Sequence, residues 1–103
     1  MISVIIPTHN SATTLRRCLL SLCNQTNKDF IVIIIDDYSD DYLDLELIIE
    51  DFSERLTIEY YRLKTHSNGA AARNYGIMKV RTPYICFLDA DDYWVDRRIE
   101  LAH

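Results

Sequence analysis

The stretch "FIVIIID", Phe30–Asp36, decides how the rest of the chain must be arranged. Six apolar residues follow one another and end in an aspartate. Most are β-branched, which suits an extended backbone better than a helix. A strand with no polar alternation has no face to offer to water. It must be covered on both sides, which is the position of a central strand in a parallel sheet flanked by helices. "ISVIIP" (2–7) is a similar run closed by proline, and "YICFL" (84–88) is another, entered through Pro83. "LTIEYYRL" (56–63) alternates more, as a less buried strand does.

Helical patterns fill the intervals. Leu15, Leu19 and Leu22 recur at i, i+4, i+7, with Asn10 or Ser11 as the expected N-cap. Leu45, Ile48, Ile49 and Phe52 form a second stripe. The third segment, 70–80, opens with alanines that allow close packing on a sheet. Strands begin roughly 27 residues apart, the size of a βα unit. The pattern predicts an α/β fold, a doubly wound, mainly parallel sheet with flanking helices. The terminal "WVDRRIELAH" (94–103) reads as the opening of another helix. The sheet is therefore expected to be truncated after its fourth strand, leaving that strand as an open edge that invites self-association.

With 103 residues, 49% hydrophobic and 26% charged, the chain has the balance of one globular domain. A formal net charge of −5 argues against a nucleic-acid partner, which calls for a basic face. No apolar run approaches the ~18 residues of a membrane span. Met1 leads directly into a strand-like segment, unlike a signal peptide. Cys18, Cys23 and Cys86 lack metal-ligand spacing and are read as reduced core residues of a cytoplasmic protein. His9, His66 and His103 are scattered and do not resemble a zinc set.

Ligands of open parallel sheets bind beyond the carboxyl ends of the strands. After the first strand come Thr8, His9 and Asn10; after the second, Asp36, Asp37, Tyr38 and Ser39. "KTHSNGAAARN" (64–74) comes after the third strand, and Asp89, Asp91 and Asp92 after the fourth. Asp89 and Asp91 are spaced i, i+2, which in an extended segment points both carboxylates one way. That suits a hard cation such as Mg²⁺ or Mn²⁺. With only Gly69 and Gly76, the chain has neither a Gly-x-Gly-x-x-Gly turn nor a phosphate loop. A diphosphate would have to be held by the cation and by Arg73 or Lys64. A receiver-like phosphotransfer domain would need an acidic pair after the first strand, where Thr8-His9-Asn10 stands.

Together "VIIPTHN", "IIIDDYSDD", "NGAAARNYGI" and "ICFLDADDYW" resemble, in order and interval, the donor-binding half of GT-A fold glycosyltransferases, inverting family two in particular. The resemblance implies transfer of a sugar from a nucleotide-diphosphate sugar, commonly a UDP-sugar, to a saccharide or lipid-linked acceptor with Mg²⁺ or Mn²⁺. Such activity serves polysaccharide or glycoconjugate synthesis in the cytoplasm or at the inner face of the membrane. It implies that Thr8, His9 and Asn10 line the base pocket, with His9 in place of the family's usual tyrosine. It implies that Asp37 bonds the nucleobase imide with Asp36 beside it, and that Arg73 lies near the base or phosphates. Asp89 would hold the ribose and Asp91 the metal. Tyr38 replaces the glycine common after the acidic pair. The acceptor half and the catalytic base are expected after His103; neither Asp96 nor Glu100 is assigned that role. The rival reading is a non-catalytic nucleotide-binding or assembly module.

Overall fold

The computed structural model describes residues 1–67 and 69–91. Asp92, Asp96, Glu100, His103 and the segment 94–103, expected from sequence to open a helix, lie outside the described residues. Strands β1 (Ile2–Thr8), β2 (Phe30–Asp36), β3 (Ile58–Arg62) and β4 (Tyr84–Phe87) alternate with helices α1 (Ala12–Cys23), α2 (Tyr42–Phe52) and α3 (Ala70–Met78). The strands pair in parallel in the order β3-β2-β1-β4. This is the doubly wound sheet that the apolar runs predict.

Strand periodicity accounts for the lack of polar alternation. Ile2, Val4 and Ile6 of β1 and Phe30, Val32 and Ile34 of β2 share one core with Leu15, Leu19 and Leu22 of α1 and Leu45, Ile48 and Phe52 of α2. The intervening Ile5, Ile33 and Ile35 face the other side, where Ala72 of α3 meets them. Successive side chains point to opposite faces, so a strand covered on both sides must be apolar throughout. Burying each such aliphatic side chain contributes roughly 1.5–3 kcal/mol, which makes this two-sided burial the main drive to fold. Cys18 belongs to the first core, Cys23 and Cys86 pack against it, and all three are free thiols.

Register sets where the loops emerge. Thr8 stands opposite Asp36, and Asp36 opposite Arg62, so β1, β2 and β3 end level with one another. β4 pairs Phe87 with Ile5, and Leu88 N–H donates to the Ile5 carbonyl at 3.0 Å. Among the described residues β4 has one neighbour, β1, and Tyr84, Ile85 and Phe87 are exposed, as an edge strand's residues are. No helix among the described residues is long and apolar enough to cross a membrane.

Gly76 marks the closest approach of α3 to the sheet. A Cβ there would lie 2.6 Å from Ile5 Cγ2 and 3.3 Å from Ile35 Cγ1. Gly76→Ala gains about 1 kcal/mol of helix propensity but forces overpacking that costs about 1–3 kcal/mol. The contact is with the stiff branch of a buried isoleucine, so the cost is expected to win. Urea unfolding should show a lower midpoint for the variant; an unchanged or higher midpoint would refute the close approach.

Candidate functional site

The site begins with a buried charge. Asp36, at the end of β2, is fully buried. Its Oδ1 accepts the Ser39 backbone N–H at 2.8 Å, and its Oδ2 accepts the Tyr60 hydroxyl at 2.7 Å. Arg62 Nε approaches Oδ2 at 3.4 Å. Burial first, and then donation to Asp36, raises the Tyr60 phenol above its ordinary range. Arg62 also donates to the Ser39 carbonyl at 3.1 Å, with its guanidinium 4.5 Å from the Tyr38 ring centre and 4.2 Å from that of Tyr42. The β2–α2 loop is thereby fastened to β3.

That loop contains a backbone feature the sequence marks only indirectly. Tyr38 has φ 56°, the left-handed region that favours glycine. The same turn carries Asp37 to the wall of a cavity at the sheet end. Asp37 is nearly buried, and its Oδ1 accepts the Ser67 backbone N–H at 2.7 Å. Its carbonyl accepts His9 Nδ1–H at 2.7 Å and lies 3.3 Å from His66 Nδ1. The two imidazoles lie against each other, ring centres 4.1 Å apart and tilted by 33°.

The β1–α1 loop is laced to the same structure. Asn10, at φ 51°, accepts the Asp40 N–H at its Oδ1, while its own N–H donates to Ser39 Oγ at 3.0 Å. Ser11 occupies the N-cap position of α1, but its hydroxyl donates to the His9 carbonyl rather than capping the helix. The Ala12 N–H is met instead by Asp41 Oδ2 at 3.1 Å, from the neighbouring loop. The expected local cap is thus replaced by a carboxylate supplied by the fold, well placed at a helix N-terminus.

A cavity of about 160 Å³ opens at the carboxyl end of the sheet, lined by Pro7, Thr8, His9, Asp37, Gly69, Ala72, Arg73 and Asp89. Thr8 Oγ1 is buried without a hydrogen-bond partner among the described residues, a polar atom on the wall that a ligand could satisfy. Arg73 Nη2 stands 3.7 Å from Asp89 Oδ1, so a cation does sit among the carboxylates. Both are about half exposed or more, and the pair adds little to stability. Gly69, at φ 95°, starts α3 against the Arg73 side chain, a backbone conformation that glycine supplies cheaply.

The sequence profile of glycosyl transferase family 2 matches residues 3–102. The chain belongs to that family. It is 42% identical over 93 residues to the amylovoran biosynthesis glycosyltransferase AmsB of Erwinia amylovora, covering 89% of this chain and 31% of that protein. It is 36% identical over 102 residues to the poly(ribitol-phosphate) β-N-acetylglucosaminyltransferase TarP of Staphylococcus aureus, covering 96% and 31%. The crystal structure of S. aureus TarS 1–349 in complex with UDP-GlcNAc superposes with a TM-score of 0.90 at 31% identity, covering 98% of this chain and 29% of that one. The chain thus spans about a third of each of these relatives, and its fold is that of GT-A glycosyltransferases.

Of the residues that the motifs single out, Thr8, His9, Asp37, Arg73 and Asp89 line one cavity. Asn10 stands behind His9, donating from Nδ2 to His9 Nε2 at 3.2 Å. Asp36 lies beneath the site with both carboxylate oxygens engaged, so it braces the loop rather than facing a ligand. The strand ends at Phe87, and a turn begins at Ala90, so extended alternation does not run through Asp89 and Asp91. Both are exposed, with Leu88 and Ala90 buried beside them, and of the two Asp89 lines the cavity. Arg17 Nη2 donates to the Asp91 carbonyl at 2.9 Å and ties that turn to α1. His66 and Ser67 are site residues that no motif marks; their position after the third strand was the available signal.

Tyr60 gives a pH test of the buried brace. The folded state holds its phenol neutral, whereas in the unfolded chain it ionises near its ordinary value of 10.0. Its contribution is therefore complete below pH 10 and is lost as pH rises through the raised folded value. Tyr60→Phe should lower stability by about 1–3 kcal/mol near neutrality, because Asp36 loses a buried donor. It should also flatten the fall in stability above pH 10, and parallel denaturation curves at pH 8 and pH 11 measure both.

Proposed function

We propose that this chain is the donor-binding half of a family 2 glycosyltransferase that takes a sugar from a nucleotide-diphosphate sugar, a UDP-sugar in the first place. The observation that carries the reading is the cavity where Asp37, Arg73 and Asp89 converge at the strand ends, in a chain of this family. The UDP-GlcNAc complex of TarS, similar across 98% of the chain, supports the choice of nucleotide. The relatives are about three times longer, and the acceptor contacts and catalytic base are assigned to that additional length.

In this reading Asp37 receives the nucleobase imide N–H, His9 stacks on the base, and Thr8 supplies its unpaired hydroxyl at the wall. Asp89 holds the ribose, and Arg73 faces the phosphates. The donor set at the turn after β4 fits a hard divalent ion: exposed carboxylates, of which Asp91 is the ligand and Asp89 its neighbour. Bound there, Mg²⁺ or Mn²⁺ would offset the negative charge that develops on the leaving diphosphate. Thr8, Asp37 and Arg73 hold the nucleotide still while the acceptor hydroxyl attacks, which lowers the entropic part of the barrier. The product would be a polysaccharide or glycoconjugate built on a saccharide or lipid-linked acceptor. The exposed edge of β4 supports self-association through that strand.

Calorimetric titration with UDP in Mn²⁺, and again with a chelator, tests the reading. Affinity should depend on the cation, because a diphosphate meets only carboxylates and one arginine without it. Asp91→Ala should abolish that dependence, and Asp37→Ala should weaken UDP binding while leaving metal binding largely intact. Equal affinity with and without the cation would refute the metal bridge. Binding lost in none of these variants would refute the site.

A further inference from the structure

The fold assembles a second set of possible metal ligands that the hard-cation site does not use. His9, Asp37 and His66 come from three different connections, and a ligand atom of each lies within 4.8 Å of the others. Two imidazoles and a carboxylate are a different chemistry from the aspartates after β4. Imidazole favours borderline-soft ions such as Zn²⁺, whereas carboxylate and water favour Mg²⁺ and Mn²⁺. Three protein ligands with an open fourth position are also an ordinary zinc arrangement.

The supporting contacts favour ligation. The Asp37 carbonyl can only accept, so His9 Nδ1 carries its proton and Nε2 keeps its lone pair. Asn10 Nδ2 donating to that Nε2 agrees with the same tautomer, and an ion would have to displace this exposed contact. A backbone carbonyl holding the second nitrogen is how metal-binding histidines are commonly oriented. His66 Nδ1 faces the same carbonyl at 3.3 Å and Asp37 Oδ2 at 3.4 Å, both acceptors, so it too carries its proton on Nδ1 and offers Nε2 as the ligand atom. Both histidines are exposed, so ring rotation can close the remaining distance. Asp37 is held in place from behind by the Ser67 N–H.

We propose that His9, Asp37 and His66 form a site for Zn²⁺ or a similar transition-metal ion, and that its occupation excludes the nucleotide. The exclusion rests on reading the cavity as the donor site: the ion would take up the Asp37 carboxylate and the His9 ring, which that reading gives to the base. Such a site makes donor binding sensitive to free zinc without touching Asp91.

Cobalt absorption spectroscopy on the purified chain tests the site without any nucleotide. Co²⁺ should give the intense visible bands of tetrahedral coordination and be displaced by Zn²⁺. His66→Ala and, separately, His9→Gln should remove them, with a loss of Zn²⁺ affinity beyond the roughly 10–100-fold that loss of a mere supporting partner produces. Asp91→Ala should keep them. A weak octahedral spectrum, or one indifferent to His66→Ala, would overturn the site. With Mg²⁺ in excess, free Zn²⁺ buffered at about 100 times its Kd should raise the apparent Kd of UDP about a hundredfold. An unchanged Kd would overturn the exclusion. Histidine-dependent Co²⁺ binding in a chain that takes no UDP would support the metal site and count against the donor reading instead.

Discussion

The arrangement at the sheet end depends on one buried carboxylate. Asp36 is withdrawn from water at the end of a central strand, and an uncompensated charge there would cost several kcal/mol. Compensation comes from Ser39 in its own loop and from Tyr60 and Arg62 on β3. Those contacts fix the β2–α2 loop, and the loop in turn sets Asp37 over the cavity. Arg62 adds two aromatic contacts on the same segment, helping to hold Tyr38 in a conformation glycine would adopt more readily. The aspartate that lines the cavity thus depends on the one beneath it.

The three connections form one structure through polar contacts between loops. Asn10 bonds across to Ser39 and Asp40, Asp41 meets the start of α1, and Ser67 meets Asp37. Each contact joins residues brought together by parallel strands that end level with one another. This lacing gives a small chain a shaped cavity without a glycine-rich phosphate loop. Arg73 stands among the carboxylates that line this cavity, Asp37 and Asp89.

The two edges of the sheet differ. β3 is half-buried and carries the brace for Asp36, whereas β4 presents Tyr84, Ile85 and Phe87 to its surroundings. In a sheet whose inner strands are sealed on both faces, that edge is where additional contacts would be gained most cheaply. The turn after it carries Asp89 and Asp91, tied to α1 through Arg17. Whatever packs on β4 would therefore also act on the geometry of that turn.

Much of this was legible in the residues. The unbroken apolar run of β2, and that of β1 with Ser3 as its one interior polar residue, required a two-sided parallel sheet, because a strand periodicity of two leaves no polar face. Strand-end position alone gathered Thr8, His9, Asp37, Arg73 and Asp89, since parallel strands deliver their loops to one edge. Tyr38 stood out where the family has glycine, and its positive φ gives the physical reason. What sequence could not decide was which way neighbouring carboxylates turn. Asp36 and Asp37 are adjacent and chemically identical, yet one is buried as a brace and the other faces the cavity, a choice made by Tyr60 and Arg62 from a strand far along the chain. The cap of α1 passed from Ser11 to Asp41 for the same kind of reason, and His9 and His66, scattered in sequence, meet because two loops share the Asp37 carbonyl. Periodicity is a local property and can be read from a line of residues; pairing between loops exists only once the sheet has set their spacing.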